Sequence, residues 1–335
     1  MNISYRTRLL IRRILGITAL VLVVALVATT CSLLWLQRFV VYTDEGAKLV
    51  FQQPKKLPAS QLPQTVPSPS VTIHYSDQPF REGLQQLSGY YIDPKDLMDD
   101  PEAVRQKLEQ LPAGTAVLLD VKGYRGYFYY STAVGYNTSS SYDISKMDDL
   151  IRWLSGSDLY VIARMSALRD FDLVWNDESC GLTKTSGVLY NDRGSYGLGY
   201  WLDPTSDKVM RYLTQVLREL RELGFDEVVL QNFRFPNTSS LAFEGDKDAA
   251  IQEAAQQLID ACANESFTIS FSSAEAGYVL PEGQCRLYLE DVAAADAQSA
   301  WDSATVADKR LQLVFLPTAG DTRYEIENGL LLPLP

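Results

Sequence analysis

From about residue 86 onward, the apolar residues of this chain follow two alternating patterns. Short continuous apolar runs, such as AVLLDV (116–121) and EVVLQ (227–231), are typical of strands that are buried on both faces. Between such runs, apolar residues recur every three or four positions, as in residues 143–155, which is typical of amphipathic helices. The alternation of the two patterns predicts a mostly parallel sheet that is covered by helices.

Eight segments carry the strand pattern, and four longer segments carry the helix pattern. The predicted strands cover residues 87–92, 116–121, 158–163, 227–231, 266–272, 286–289, 311–317 and 329–335. The predicted helices cover residues 101–111, 143–155, 203–225 and 248–264. Two prolines weaken the prediction of the last strand, because proline cannot donate a backbone hydrogen bond within a sheet.

Two architectures agree with this order of elements: a closed (β/α)8 barrel and an open doubly wound sheet. No GxGxxG motif follows the first predicted strand, so nucleotide binding by an open sheet has no support. The number of strands favours an α/β fold of the (β/α)8 TIM-like type that is incomplete at its C-terminal end. We expect this barrel domain to span residues 86–335.

The N-terminal region predicts one transmembrane helix. Residues 14–36 form an uncharged apolar run that is long enough to cross a bilayer, which requires about 20 residues. The preceding residues 1–13 are basic, so the positive-inside rule places them in the cytoplasm and the barrel outside the cell membrane. Residues 37–85 then form an extracytoplasmic linker, which is rich in Pro and Ser. A cleaved signal peptide is the alternative, but its apolar core would be shorter.

The composition argues against several functional classes. The formal net charge is −12, and a nucleic-acid partner would require clustered Lys and Arg, so we expect no nucleic acid. The single histidine, His74, argues against a His-based triad or metal site. The four cysteines form no CxxC pair, and we expect no metal and no cofactor. Cys262 and Cys285 could form a disulfide in an exported domain, but buried free thiols are the favoured interpretation.

In a barrel of this kind, the residues at the carboxyl ends of the strands form the active face. The polar and aromatic residues at or just after predicted strand ends include Tyr91, Asp120, Lys122, Tyr124, Arg164, Gln231, Asn232, Arg234, Ser272, Glu290 and Asp291. Asp120 interrupts an apolar strand, and a buried carboxylate needs a partner or water. It is either an acid/base or substrate-binding group, or one half of an ion pair with Lys122 or Arg164.

Carboxylates and aromatic rings at this face point to carbohydrate chemistry. Glycoside hydrolysis uses two carboxyl groups that flank the glycosidic bond, but Glu290 and Asp291 are adjacent on one strand, so only one can face the site. Aromatic residues are concentrated in residues 123–142 and again around Tyr200 and Trp201. Such rings can stack on sugar faces. Packing onto the barrel is the favoured interpretation for most of them.

Three segments resemble the putative glycosyl hydrolase domain family of bacterial envelope proteins: VLLDVKGYRGYFYY, DLYVIARMSALRD and the segment from GYWLDP to FRFP. The resemblance covers roughly residues 86–320 and implies a glycosidase-like (β/α)8 barrel. The positions that match the family's motifs are Asp120 and Lys122 (DVK), Arg164 (IAR), Trp201 and Asp203 (Trp-x-Asn/Asp-Pro) and Arg234 (RFP).

The chain departs from this family at two positions that matter for catalysis. Where the family usually reads FDYIRFP, this chain reads LQNFRFP, so Gln231 replaces the aspartate that would be the leading catalytic candidate. Ser272 stands where the family often has another aspartate. A glutamine side chain neither donates nor accepts a proton usefully near neutral pH, so the two-carboxyl mechanism is compromised.

We therefore expect a membrane-anchored, glycoside-hydrolase-like barrel that acts on or binds a cell-envelope polysaccharide or peptidoglycan-like glycan, with impaired or absent catalysis. The alternative is a non-catalytic glycan-binding or scaffold protein of the envelope. If the protein is active, the candidate catalytic carboxylates are Asp120, Asp203 and Glu290. The candidate substrate-binding residues are Tyr91, Lys122, Tyr124, Arg164, Trp201, Gln231, Asn232 and Arg234.

Overall fold

The computed structural model describes residues 40–43, 46–49, 83–194, 197–317 and 329–335. The chain divides into two units, Met1–Ser76 and Asp77–Pro335. In the first unit, strands β1 (Val40–Thr43) and β2 (Gly46–Leu49) form an antiparallel hairpin. The predicted anchor at 14–36 lies outside the described residues. Within the described ranges, no helix is long and apolar enough to cross a membrane.

Eight parallel strands of the second unit close into a barrel. The strands of this unit are β3 (Ser88–Tyr91), β4 (Ala116–Lys122), β5 (Tyr160–Ser166), β6 (Asn191–Gly194), β7 (Gly197–Tyr200), β8 (Glu227–Gln231), β9 (Thr268–Ser273), β10 (Leu287–Val292), β11 (Leu313–Pro317) and β12 (Gly329–Pro333). Strands β6 and β7 form a separate antiparallel hairpin, and the other eight follow the order β3-β4-β5-β8-β9-β10-β11-β12 around the barrel. This closed barrel confirms the predicted fold class.

The barrel is complete at its C-terminal end, which corrects the expectation of an incomplete one. Strand β12 pairs in parallel with β11 on one side and with β3 on the other. Pro333 is the last residue of β12 and lies opposite Tyr91. Its missing N–H group therefore lies at the strand end, where proline is tolerated.

Helices surround the barrel, and the longer ones are those that the periodicity predicts. The helices are α1 (Pro94–Asp99), α2 (Pro101–Leu108), α3 (Ile144–Ser155), α4 (Phe171–Asn176), α5 (Asp207–Glu222), α6 (Lys247–Cys262), α7 (Ala297–Ser303) and α8 (Lys309–Gln312). The predicted helices correspond to α2, α3, α5 and α6. As predicted, Asp100 caps the helix that begins with Pro101. The other helices have seven residues or fewer, which is too short for a clear apolar period.

Alternate residues of each barrel strand face opposite sides, which creates two core layers. One layer fills the barrel and includes Leu118, Ile162 and Val229. The other layer lies between the strands and the helices and includes Leu119 from β4 and Leu213 from α5. The predicted apolar face of α5 is thus the face that covers the barrel.

A buried ion pair lies inside the barrel towards its amino-terminal end. Glu227 begins β8 and pairs with Arg286, which directly precedes β10, and their side chains are 0% and 2% exposed. The hydroxyl groups of Tyr160 and Tyr288 each donate a hydrogen bond of 2.9 Å to the Glu227 carboxylate. The guanidinium of Arg286 also donates to the backbone carbonyl of Gln85 at 2.8 Å. The partners of this pair come from β5, from β10 and from the segment before β3.

Candidate active site at the carboxyl ends of the strands

Four polar side chains form a connected network at the carboxyl ends of β4, β5, β8 and β10. The Arg164 guanidinium donates two hydrogen bonds to Asp120, with Nε–Oδ1 at 2.6 Å and Nη2–Oδ2 at 3.0 Å. Its Nη1 donates to Oε1 of Glu290 at 3.2 Å. The amide nitrogen of Gln231 donates to both oxygens of Glu290, at 2.8 and 2.9 Å. The structure thus brings four of the predicted site residues together.

The barrel explains why residues so distant in the sequence meet. Asp120 and Arg164 are register partners on the adjacent strands β4 and β5. They lie two residues beyond Leu118 and Ile162, which belong to the interior layer, and therefore share its face. This arrangement decides which residue pairs with Asp120: its partner is Arg164, and Lys122 points elsewhere.

The network is largely buried, and its charges are mutually compensating. The side chains of Arg164, Asp120 and Glu290 are 15%, 14% and 23% exposed. Burial lowers the pKa of the Arg164 guanidinium, but the adjacent Asp120 and Glu290 together outweigh burial and hold that pKa above its usual range. Guanidinium and amide N–H groups only donate hydrogen bonds, and together they direct three of them to the Glu290 carboxylate. Glu290 is thereby held as an acceptor.

A cleft of about 870 Å³ opens beside this network. It is lined by residues at and after the ends of β8, β9 and β10 and by the first turns of α6, and it includes Gln231, Ser272 and Glu290. Arg234 and Asp291 are exposed and also line the cleft. Its volume lies within the range of small-molecule binding sites, and its lining mixes apolar, charged and amide groups.

Two residues that line the cleft adopt the left-handed backbone conformation. Asn232 has a φ of 55° and Asp291 a φ of 57°, and each directly follows a network residue, Gln231 or Glu290. The side-chain amide of Asn232 donates to the Ser166 hydroxyl at 3.1 Å. This conformation is uncommon for residues other than glycine and is concentrated at functional sites. The cleft-lining position of Asn232 is compatible with its predicted role in substrate binding.

Trp201 and Tyr124 belong to a packed cluster of aromatic and charged side chains. Trp201 is 2% exposed, and its Nε1 donates to Asp192 at 2.9 Å. Asp192 also pairs with Arg169, whose guanidinium lies 4.5 Å from the centre of the Tyr124 ring. The guanidinium of Arg234 lies 5.1 Å from the centre of the Trp201 ring. Trp201 is therefore buried within this cluster, and its ring supports Arg234, which lines the cleft. Its role in substrate binding stays a prediction.

Lys122 is placed away from the network. Its fully buried ammonium group pairs with Asp170 at 2.8 Å and donates to the Ser166 carbonyl at 2.8 Å. The register of β4 against β5 shifts between Asp120 and Lys122, so two residues that alternation would put on one face point in different directions. The structure thus gives Lys122 buried contacts with Asp170 and Ser166, and its substrate-binding role stays a prediction.

Asp203 is also placed apart from the network. Its carboxylate accepts hydrogen bonds from the backbone N–H and the hydroxyl of Thr205, at 2.9 and 2.7 Å. These contacts form a local turn before α5, of the kind that Asp commonly makes. The structure therefore gives Asp203 a local structural role and does not pair it with Asp120 or Glu290.

Two tyrosines, Tyr91 and Tyr129, border the network. Only Tyr91 was selected from the sequence, because it lies at the end of a predicted strand. The hydroxyl of Tyr91 donates to the Pro317 carbonyl at 3.2 Å, and burial raises the pKa of Tyr91. Tyr129 stacks on Tyr142 with ring centres 4.1 Å apart, and burial together with the charge of Asp120 raises its pKa to about 12. Tyr129 lies within the aromatic stretch 123–142, where spacing alone does not show which ring approaches the barrel.

The cysteines of the described residues are structural. Cys180, Cys262 and Cys285 are buried free thiols, which confirms the favoured interpretation of Cys262 and Cys285. In the part of the chain that the structure describes, no group of three or more His, Cys, Asp or Glu side chains is arranged to hold a metal ion.

A closed parallel barrel with two carboxylates at its strand ends is an arrangement that glycoside hydrolases use. The family described as "putative glycosyl hydrolase domain" matches residues 98–271, which is more than half of the chain. The chain belongs to this family, and the resemblance seen in the sequence is confirmed. No curated protein matches the chain.

Several solved structures are similar to parts of this chain. The family 20 exo-β-N-acetylglucosaminidase from Vibrio harveyi matches with a TM-score of 0.50 and 9% identity, covering 70% of this chain and 41% of that chain. A hypothetical protein from Ruminiclostridium thermocellum matches with a TM-score of 0.42 and 21% identity over 54% of this chain and 96% of that one. The glycoside hydrolase domain of PelA from Pseudomonas aeruginosa matches with a TM-score of 0.38 and 14% identity, over 63% and 69%. This chain thus spans less than half of the Vibrio enzyme, and that similarity shows the fold alone.

Proposed function

We propose that this protein is a membrane-anchored, glycoside-hydrolase-like barrel that binds a cell-envelope polysaccharide, with impaired or absent catalysis. The proposed glycan site is the cleft at the carboxyl ends of β8, β9 and β10. Membership in a glycosyl hydrolase domain family supports a glycan as the ligand class. The apolar run at 14–36 and the basic residues before it support an anchor that holds the barrel outside the membrane.

The contact between Gln231 and Glu290 carries the proposal of impaired catalysis. The two-carboxyl mechanism needs one group to protonate the leaving oxygen and another to attack or to activate water. The Gln231 amide lies 2.8 and 2.9 Å from the Glu290 oxygens, at the position where the resemblance expects an aspartate, and an amide does not exchange protons in this way. Both oxygens of Asp120 are bound to Arg164. Both inward carboxylates are thus engaged as hydrogen-bond acceptors.

A sedimentation and hydrolysis experiment tests this proposal. Purified full-length protein in detergent is incubated with protein-free peptidoglycan sacculi and with a panel of other insoluble polysaccharides. We expect saturable co-sedimentation with at least one of them and no release of reducing ends. The variant Arg234→Ala, which removes an exposed cation from the cleft, should bind more weakly, whereas Gln257→Ala on the exposed surface of α6 should not.

Two results would contradict the proposal in different ways. Failure of the protein to bind any polysaccharide of the panel would overturn glycan binding. Release of reducing ends by the natural protein, abolished by Glu290→Gln, would overturn impaired catalysis. Digestion of the barrel by protease added to intact spheroplasts, whose cell membrane is directly accessible, is expected from the proposed topology. Protection that ends only when the spheroplasts are lysed would contradict an extracytoplasmic barrel.

Restoring the carboxylate tests the role of Gln231 directly. In Gln231→Asp, two carboxyl groups would lie close together beside Arg164, and like charges at this separation favour retention of a proton on one of them. We expect this variant to gain release of reducing ends from a polysaccharide that the natural protein binds. The matched control, Gln257→Glu, adds the same charge to the surface and should remain inactive. A folded, glycan-binding Gln231→Asp without activity would show that the missing carboxylate does not limit catalysis.

A further inference from the structure

An exposed tryptophan belongs to a stack of three aromatic rings. The Phe171 ring lies 5.6 Å from the ring of Trp175 with an interplanar angle of 16°, and 5.4 Å from the ring of Tyr200 with an angle of 21°. We call Phe171, Trp175 and Tyr200 the Trp175 platform. Trp175 is 70% exposed, so most of its surface is available to a ligand.

The platform is extended by a cation from a neighbouring loop. The guanidinium of Arg125 lies 5.9 Å from the ring centre of Phe171 and 5.9 Å from that of Tyr127. The backbone N–H of Asp172 donates to the Arg125 carbonyl at 3.0 Å, and the N–H of Asp170 donates to the Tyr200 carbonyl at 3.0 Å. The loop after β4, the helix α4 and the hairpin strand β7 are therefore fixed to one another.

The position of these elements relates the platform to the barrel mouth. The loop that carries Arg125 and Tyr127 follows β4, and α4 follows β5, so both leave the carboxyl ends of barrel strands. The cleft of the proposed function is formed by segments that follow β8, β9 and β10 on the same end of the barrel. A long ligand lying across this end could contact both features.

The chemistry of the platform favours a sugar ring over a protein surface. The next residues along the chain, Asn176, Asp177 and Glu178, are polar, whereas the centre of a protein interface is depleted of charge. A rigid, exposed indole face bordered by polar groups and a guanidinium suits a ring that has an apolar face and hydroxyl groups at its edge. Because the indole already stacks on Phe171, little side-chain freedom is lost when a ligand covers it.

We propose that the Trp175 platform is a second glycan-binding subsite, which contacts a sugar of an extended polysaccharide chain whose other units occupy the cleft. This inference rests on the proposed function for the ligand class. It predicts that affinity depends on chain length, because only a glycan of several units reaches the platform from the cleft. Trp175 then determines the preference for long chains and takes no part in the chemistry.

The test compares short and long glycans on the full-length protein. Glycan strands prepared from protein-free peptidoglycan are separated into disaccharides and chains of six or more sugars, and binding is measured by isothermal titration calorimetry. Trp175→Ala should weaken binding of the long chains roughly three- to tenfold and leave disaccharide binding unchanged. Trp175→Phe, which keeps an aromatic face, should recover part of the affinity. Val188→Ala, at an exposed apolar residue outside the platform, is the control for a general surface effect.

The outcomes distinguish the two proposals. Binding of long chains by the natural protein that Trp175→Ala leaves unchanged would overturn the subsite and spare the cleft. Equal weakening for short and long chains would also overturn it, because the residue would then act on the cleft itself. Failure of the natural protein to bind any of these glycans would overturn peptidoglycan strands as the ligand of both the cleft and the Trp175 platform. In that case Arg234→Ala would also show no effect on binding.

Discussion

Arg164 holds two carboxylates that would otherwise repel each other in a site with little access to water. Asp120 and Glu290 both accept hydrogen bonds from its guanidinium, and their side chains are 14% and 23% exposed. The planar fork of arginine suits this arrangement, because it binds Asp120 through two nitrogens and still presents a third to Glu290. Gln231 adds two neutral donors to Glu290 without changing the net charge of the network.

Removing the Arg164 guanidinium should therefore destabilise the protein strongly. In Arg164→Met, the carboxylates of Asp120 and Glu290 lose their shared cation, and an unpaired buried charge costs about 3 kcal/mol or more. We expect a loss of about this size in the free energy of unfolding, measured by urea denaturation at pH 7. The control is Arg152→Met, which removes a pair with Asp149 whose side chains are 74% and 64% exposed. That variant should change the free energy of unfolding by less than about 1 kcal/mol.

At the scale of elements, the Glu227–Arg286 pair joins β8 to the start of β10, although β9 lies between these strands in the barrel. Two tyrosine hydroxyls complete the coordination of Glu227, so the buried carboxylate is fully satisfied. Because the pair lies inside the barrel, it takes the place of an apolar layer at the amino-terminal end. Its role is to hold non-adjacent strands in one arrangement rather than to act on a ligand.

Breaking this pair on one side should cost more than replacing it on both sides. Glu227→Leu and Arg286→Met alone each leave one buried charge without its partner, at a cost of about 3 to 5 kcal/mol. The double variant removes both charges, so its loss should be smaller than the sum of the two single losses. A double-mutant cycle of unfolding free energies measures this coupling. Additive losses would show that the two side chains stabilise the barrel independently.

Strand β12 closes the barrel, and its removal should affect the whole domain. Without residues 329–335, β3 and β11 would each lose a parallel neighbour and expose an unpaired edge. We expect the truncated protein to lose cooperative thermal unfolding and to aggregate, as measured by circular dichroism and light scattering. Pro333→Ala is the control, because it changes one residue at the strand end and keeps the pairing. A truncated protein with the natural melting profile would show that the barrel is stable when open.

At the scale of the whole molecule, many tyrosines are buried in their neutral form. Of the 19 tyrosines in the sequence, those whose pKa is raised chiefly by burial include Tyr91, Tyr129, Tyr130, Tyr142, Tyr160, Tyr190, Tyr212, Tyr278 and Tyr288. A group whose pKa is higher in the folded protein binds its proton more tightly there than in the unfolded chain. The stability due to these tyrosines is therefore complete below their unfolded pKa of about 10 and is lost as the pH rises above it.

This linkage predicts a cooperative alkaline transition. The pKa of a tyrosine is about 10 in the unfolded chain, and that of Tyr129 is raised to about 12 in the folded protein. Between these two pH values we expect tyrosinate absorbance and loss of the circular dichroism signal to rise together. Tyr129→Phe should reduce the steepness of this loss, because one buried hydroxyl no longer ionises on unfolding. Ionisation of all tyrosines near pH 10 with an unchanged circular dichroism signal would contradict the burial of these side chains.

The fold was predictable from the sequence because its signals are local and repeated. Each buried strand is a continuous apolar run, and each long helix has a regular apolar period, so errors in one element do not change the architecture. The short helices α1, α4, α7 and α8 were not predicted, because so few residues do not display a period. The C-terminal strand was doubted because of its prolines, yet Pro333 lies at the strand end, where the pairing of its neighbours is preserved.

The site was predictable only in part. The expectation that polar residues at the carboxyl ends of the strands form the site selected Asp120, Arg164, Gln231 and Glu290. The barrel brings these four into one connected network. Lys122 was selected in the same way but lies apart from these four residues, because a shift of register within β4 turns its side chain away from the face of Asp120. Such a shift depends on the neighbouring strand and leaves no mark in the local pattern.

By itself, the sequence determined the class of the protein: buried runs and helical periods specify a parallel barrel, and its motifs specify a glycosyl hydrolase domain family. Only the tertiary structure decided which side chains meet, that Glu290 accepts hydrogen bonds from both Gln231 and Arg164, and that Trp201 is buried while Trp175 is exposed. The physical reason is that strand and helix patterns depend on near neighbours in the chain. Contacts across a barrel depend instead on closure, register and the direction of each side chain, which are properties of the assembled sheet.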